Sequence, residues 1–187
     1  MIYWFCEKVK REGKEMFYVS EIYKTASQNF ETPLQKKVYQ TLSALNIPFE
    51  RVETDEAISM DACENIGKVL KNDVVKTLLL CNRQKTAFYL FITKGNKPFS
   101  SKAFSTALGI SRVSFAPADL FCELLGASIG AATVFSALWD ENMRIQIVFD
   151  KEVTEVAEFS CSDGTTTGFM KLKTEDVVRR FLPYTKH

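Results

Sequence analysis

The chain has 187 residues, 46% hydrophobic and 25% charged, which fits one globular domain and is too short for two full ones. Its 24 Lys and Arg against 23 Asp and Glu leave a net charge of +1. That excludes a polybasic nucleic-acid coat but leaves room for a local basic site gripping one end of a nucleic acid. No apolar run reaches the about 18 residues of a membrane span, and MIYWFCEKVKREGKEM lacks a signal-peptide core. A cytoplasmic protein with no membrane partner is therefore expected.

Two counts narrow the chemistry. The single histidine, His187, is the last residue and is expected to fray, which speaks against His triads and His metal sites. The five cysteines (Cys6, Cys63, Cys81, Cys122 and Cys161) are widely spaced with no CxxC, so reduced thiols are expected rather than zinc or disulfides. No metal and no cofactor is implied.

In chain order, residues 1–30 read as an N-terminal appendage, with the charged run KVKREGKEM and no sustained apolar period; residues 31–187 read as the domain. Pro33 can open a helix, and Leu34, Val38, Leu42 and Leu45 recur at helical spacing over about 33–46. Ile47–Val52 reads as a short strand. Ser59 is a plausible N-cap for a second helix whose face carries Ala62, Cys63, Ile66 and Leu70. Val74–Cys81 and Ala87–Thr93 flank the polar turn NRQKT and predict a hairpin, apolar enough to be covered on both faces. Ser100–Leu108 reads as a helix closed by Gly109, Val113–Phe115 as a short strand, and Pro117–Leu125 as a helix ending at Gly126. Arg144–Asp150 alternates and is expected to pair with the segment before it across WDEN. Thr166–Lys173 reads as the last strand, and Thr174 as the cap of a final helix, TEDVVRRFL. Six or seven strands and five helices, with hairpins rather than regular alternation, predict an α+β fold with a mixed, mostly antiparallel six- to seven-stranded sheet surrounded by helices. No phosphate-binding glycine loop is present.

Three features could carry chemistry. Lys76 is a cation inside an apolar strand: either it snorkels from the edge, or it is a point charge for a phosphate or carboxylate. Lys68, Lys71, Lys94, Lys97 and Lys102 lie nearby in sequence as solvated lysines or a phosphate-tracking rim. Gly126–Thr133 is almost all small residues, either a tight crossing or a loop that bares backbone N–H groups to a ligand. Ser160–Thr167 gathers hydroxyls, one thiol and one carboxylate, either a self-bonded turn or a polar site. Cys161 has no histidine to activate it as a nucleophile.

The ordered series VVKTLLLC, LLGASIGAATVFSAL, RIQIVFDKEV and CSDGTTTGFMKLKTEDVVRRFL, over about residues 33–183, resembles the YbaK/ProX family of free-standing prolyl-tRNA editing proteins. They are related to the editing domain inserted in bacterial prolyl-tRNA synthetase. The resemblance implies hydrolysis of the ester joining a wrong amino acid, such as alanine or cysteine, to tRNA for proline. Its partners would be the tRNA acceptor end and prolyl-tRNA synthetase. The family's lysine maps to Lys76 and its glycine loop to Gly130–Ala137. Its later polar stretch maps to Ser160, Cys161, Gly164 and Thr165. Thr77, Val134, Ser136 and Ser160 depart from the common Asn, Pro, Gly and His. The expected catalytic pair is Lys76 and Gly130. The expected pocket comprises Met60, Cys63, Ala131, Ala132, Thr133, Val134, Phe135, Ser160, Cys161, Asp163, Gly164 and Thr165, with Ile66 as part of its wall. Other readings are a tRNA- or synthetase-binding module of the same fold and an unrelated small hydrolase or nucleotide-binding domain.

Overall fold

The computed structural model describes residues 17–187. Helix α1 (Pro33–Ala44) starts where Thr32 Oγ1 accepts from Gln35 N at 3.0 Å, and it buries Leu34, Val38 and Leu42 completely. Ile47 closes this helix rather than opening a strand: its N–H donates to Leu42 O at 2.9 Å, past Asn46 at φ 49°. Strand β1 therefore runs later than the alternation predicts, over Glu50–Glu53. Helix α2 (Met60–Leu70) is capped as expected, with Ser59 Oγ accepting from Ala62 N at 3.2 Å.

The hairpin is β2 (Val75–Cys81) with β3 (Phe88–Lys94). Alternation explains its near-continuous apolar character. Leu79, Cys81, Leu90 and Ile92 enter the main core under α1, while Leu80 and Tyr89 face a second cluster with Phe104 of α3 (Ser101–Leu108). A third cluster lies under α2 and contains Ile66, Leu70, Val74 and Phe169. Strand β4 (Ser114–Phe115) pairs with β2, and α4 (Asp119–Leu125) follows.

The next segment differs from expectation. Val134–Leu138 is a 3₁₀ turn, not an extended partner for the strand after it. Asp140 then accepts from Arg144 N at 3.0 Å and Ile145 N at 2.7 Å, which redirects the chain. So β5 (Ile145–Phe149) pairs parallel to β3 instead of with the segment before it. After the one-turn α5 (Lys151–Thr154) come β6 (Glu158–Ser162) and β7 (Gly168–Lys173). The last helical run comprises α6 (Thr174–Asp176), a π turn (Val177–Phe181) and α7 (Leu182–Tyr184). Thr174 is not the cap, which falls at Lys173, and its hydroxyl is buried without a partner among the described residues.

The fold is α+β and its pairing mixed and mostly antiparallel, as read from the sequence. Among the described residues, seven strands form two sheets, β1-β7-β6 and β4-β2-β3-β5, rather than one. A single parallel bridge, Val74 to Ser160, joins them. Residues 17–25, within the predicted appendage, lie against the domain. Val19 and Tyr23 bridge to Thr54 and Arg51, and Phe17 and Val19 pack on the α2 cluster. The start of the predicted appendage, residues 1–16, lies outside the described residues. His187 is not frayed: its buried imidazole Nε2 lies 3.3 Å from Asp140 Oδ2. No helix among the described residues is long and apolar enough to cross a membrane.

Gly126 closes α4 at φ +62°, and a Cβ there would meet the Trp139 ring at 2.3 Å. Gly126→Ala combines backbone strain with overpacking and is expected to cost about 2–4 kcal/mol, read by urea unfolding.

Candidate functional site

Three loops converge, and each is held by identifiable bonds. The β6–β7 turn folds on itself through its hydroxyls: Ser162 Oγ donates to Thr165 O at 2.7 Å and accepts from Gly164 N at 3.0 Å. Asp163 sits behind the turn, 1% exposed. Its Oδ2 accepts from Gln35 Nε2 and Tyr39 OH, each at 2.9 Å, and its Oδ1 from Thr165 Oγ1 at 2.8 Å and Thr165 N at 3.2 Å. Burial pushes the Asp163 carboxyl above its ordinary range, and these donors pull it back. Burial, with Asp163 alongside, also pushes the Tyr39 phenol upward.

The loop from β1 to α2 docks on this turn. Thr54 N and Ala57 N donate to the carbonyls of Thr167 and Thr166, both at 2.8 Å. The glycine loop docks from the other side, where Thr133 Oγ1 donates to Ser162 O at 2.6 Å. Gly130 lies exposed where the three meet, at φ +90°; a Cβ there would be 3.3 Å from Thr166 and 3.5 Å from Ile58. Ala131 N closes a turn on Ser128 O at 3.0 Å. The N–H groups of Gly130, Ala132 and Thr133 have no acceptor among the described residues.

Lys76 lies at the start of β2, opposite Thr93, on the sheet face that carries Leu78 and Leu80. Its ammonium donates to the Lys97 carbonyl, and burial holds it below the ordinary lysine range. Lys97 is itself clamped, with Nζ at 2.6 Å from both Asp150 and Glu152, and Lys94 pairs with Glu152 at 3.1 Å. The predicted lysine rim is thus largely neutralised on this side. Lys76 has no direct bond to the glycine loop; Val74, two residues before it, bridges to Ser160.

The structure brings Gly130–Thr133 and Ser162–Thr165 together and sorts the remaining candidates by burial. Ala131, Val134 and Phe135 belong to the main core; Phe135 packs edge-on against Phe181 at 5.1 Å. Those three face inward, away from solvent. Ser136 is likewise fully buried, its hydroxyl without a partner. Gly164 packs on Leu34, and Thr165 bonds within its turn. Asp163, wholly engaged by α1 and Thr165, holds the turn in place. Cys161 is buried and its thiol is pushed up to about 12, so it is a core thiol. Ser160 Oγ is buried with no partner among the described residues. Cys63 is half-buried on the α2 cluster with its thiol pushed up by burial, Ile66 is fully inside, and the Met60 side chain lies outside the described residues. Among the described residues no group of three His, Cys, Asp or Glu is placed to hold a metal ion.

Sequence reasoning missed Ile58, 62% exposed beside Gly130, along with Gln35 and Tyr39. The last two sit on a helix whose apolar spacing gave no hint of a polar contact. Thr166 was within the quoted hydroxyl cluster but was not singled out.

A family model for the aminoacyl-tRNA editing domain matches residues 54–180. The chain belongs to the aminoacyl-tRNA editing domain family. Prolyl-tRNA editing protein ProX of Acetoanaerobium sticklandii is 26% identical over 119 residues, 64% of this chain and 73% of that one. Prolyl-tRNA synthetase associated domain-containing protein 1 of Danio rerio is 25% identical over 156 residues, 82% and 84% of the two chains. In fold, the chain resembles hypothetical protein APE2540, with TM-score 0.64 and 17% identity over 76% of this chain and 91% of that one. It also resembles a candidate trans-editing enzyme for prolyl tRNA synthetase, with TM-score 0.62 and 16% identity over 80% and 92%. The YbaK/ProX resemblance is therefore correct, and an editing domain is a hydrolase of aminoacyl-tRNA esters.

Two outcomes follow for the editing domain. At pH 8 in the native state, Cys161 should resist iodoacetamide while exposed Cys122 reacts, read by peptide mass spectrometry; the thiolate becomes abundant only as pH approaches about 12. Asp163→Ala strands the donors of Gln35, Tyr39 and Thr165 and should cost about 2–4 kcal/mol in urea unfolding.

Proposed function

We propose that the chain is a trans-editing deacylase that hydrolyses mischarged tRNA for proline, with alanine as the preferred misacylated residue and cysteine and serine behind it. The observation that carries this reading is Gly130: exposed, left-handed, and with its own and the Ala132 N–H lacking an acceptor among the described residues, in a family that hydrolyses an ester through an oxyanion. An aminoacyl ester is already activated, so the protein needs to place it and stabilise the developing negative charge. The amides of Gly130 and Ala132, the one exposed and the other half-buried, supply donors for that charge. Attack by water with the neighbouring ribose hydroxyl sharing the proton requires no side-chain nucleophile. Lys76 holds a phosphate or hydroxyl of the terminal adenosine. The small side chain at Ala132, with Ile58 and Thr166 beside Gly130, is where a small amino acid would sit. A single methylene discriminates by about 1–3 kcal/mol, so proline is rejected by size with some leakage.

The departures at Val134, Ser136 and Ser160 favour a non-catalytic binding module. All three residues are fully buried rather than at the loop mouth, which weakens that reading. Prolyl-tRNA synthetase is a fitting partner because it makes the mischarged product.

The test is deacylation of Ala-, Cys-, Ser- and Pro-tRNA for proline by wild type, Lys76→Ala and Gly130→Ala. Wild type should release alanine and spare proline, and each variant should lose about 100-fold or more in kcat/KM. No turnover of any of the four by folded wild type would return the binding module.

A further inference from the structure

The near-zero net charge conceals a steep asymmetry. From Val74 to Ala118 the sequence holds seven Lys and Arg and no Asp or Glu; the rest of the chain holds 17 basic residues and all 23 acidic ones. This block folds as β2, β3, α3 and β4, three strands of the four-stranded sheet and the helix laid on them. Three of its cations are engaged: Lys94 and Lys97 by Glu152 and Asp150, and Lys76 by the Lys97 carbonyl. The other four, Arg83, Lys85, Lys102 and Arg112, are exposed and have no ion-pair partner among the described residues.

Topology gathers these four. Cys81, the last residue of β2, pairs with Ser114. The turn bearing Arg83 and Lys85 and the segment bearing Arg112 therefore leave the sheet at the same end. Lys102 and Arg112 line one cavity of about 370 Å³ with Thr106 and Gly109. Phe115 pairs with Leu80, so it lies on the α3 side; it is 61% exposed, with its ring 5.4 Å from that of Phe99. A lone surface lysine or phenylalanine is ordinary. Four unpaired cations in a block without acids, beside an exposed ring, match a polyanion that also offers aromatic faces.

We propose that this α3–β4 surface binds the sugar-phosphate backbone of the tRNA behind its aminoacylated 3′ end. The inference rests on the reading of Lys76 and Gly130 as the editing site. Lys76 and Cys81 are five residues apart on β2, about 17 Å at a rise of about 3.4 Å per residue. The surface is thus too far away to touch the amino acid and near enough to hold the same tRNA. It explains how a chain of net charge +1 grips a polyanion: the acidic residues are kept elsewhere.

The test is binding of uncharged tRNA between about 50 and about 200 mM salt, comparing wild type with Arg83→Gln/Lys85→Gln/Lys102→Gln/Arg112→Gln. Lys151→Gln/Arg179→Gln, which removes two exposed cations already paired with glutamates, is the control. The quadruple variant should bind about 10-fold or more weakly, with the log–log salt slope shallower by about 2–4, and the control should match wild type. Hydrolysis of 3′-aminoacyl-adenosine, which has no backbone to hold, should stay unchanged in the quadruple variant while KM for full-length aminoacyl-tRNA rises. An unchanged Kd and slope, or wild type binding no better than the variant, overturns the surface. Wild type that binds tRNA through these residues yet deacylates nothing sinks the editing reading and leaves the surface standing.

Discussion

The buried carboxylate of Asp163 is the contact on which the site depends. It ties α1, through Gln35 and Tyr39, to the turn between β6 and β7, through Thr165. That turn then carries the β1–α2 loop on the carbonyls of Thr166 and Thr167 and the glycine loop on Ser162. A buried carboxylate is costly unless its oxygens are satisfied, and four donors satisfy it here. The packing admits no slack: a Cβ at Gly168 would meet Asp163 Oδ2 at 2.2 Å. Gly168 is therefore glycine for lack of space, whereas Gly130 is glycine for its left-handed backbone.

Elements governed by local chemistry were legible in the sequence. Pro33 opens α1 and Ser59 caps α2, Gly109 and Gly126 close their helices, and the β2–β3 hairpin falls within a residue of its apolar run. Elements decided by distant partners were not. The alternation of Arg144–Asp150 marks a strand but carries no information about its neighbour, and Asp140 steers it to β3. Ser160–Ser162 looks like turn chemistry, yet backbone pairing with β7 makes it a strand. His187 illustrates the same limit, since only the fold puts Asp140 beside it.

The candidate site was legible by region and less so by side chain. Composition singled out both the small-residue loop and the hydroxyl turn, and the fold places them in contact. Within each stretch, however, about half the side chains serve the core. Strand alternation turns Cys161 inward, and the 3₁₀ turn buries Val134 and Phe135. A motif quoted as a string mixes residues facing the ligand with residues facing the interior, and only a backbone separates them. Sequence proximity misled in the same way for the lysines. Lys94 and Lys97 looked like a rim for phosphate, but α5 brings Glu152 to both.

The groups with the strongest intrinsic chemistry are withdrawn from the loop junction. The Cys161 thiol is protonated and buried, the Asp163 carboxyl is saturated, and the His187 imidazole is buried against Asp140. What the junction presents instead is backbone N–H groups on a loop of small residues, and on the adjoining sheet an ammonium weakened by burial. Such an arrangement is poor at attacking an unactivated bond, because among the described residues it holds no strong nucleophile, and the base beside it is the exposed Glu56 carboxylate, which accepts from Thr166 Oγ1 at 3.5 Å. It is well suited to an ester that already carries a good leaving group and a neighbouring hydroxyl, where fixed donors aimed at the developing charge lower the barrier without reorganising. The chemistry of the substrate and the burial of the thiol and imidazole are therefore two sides of one constraint.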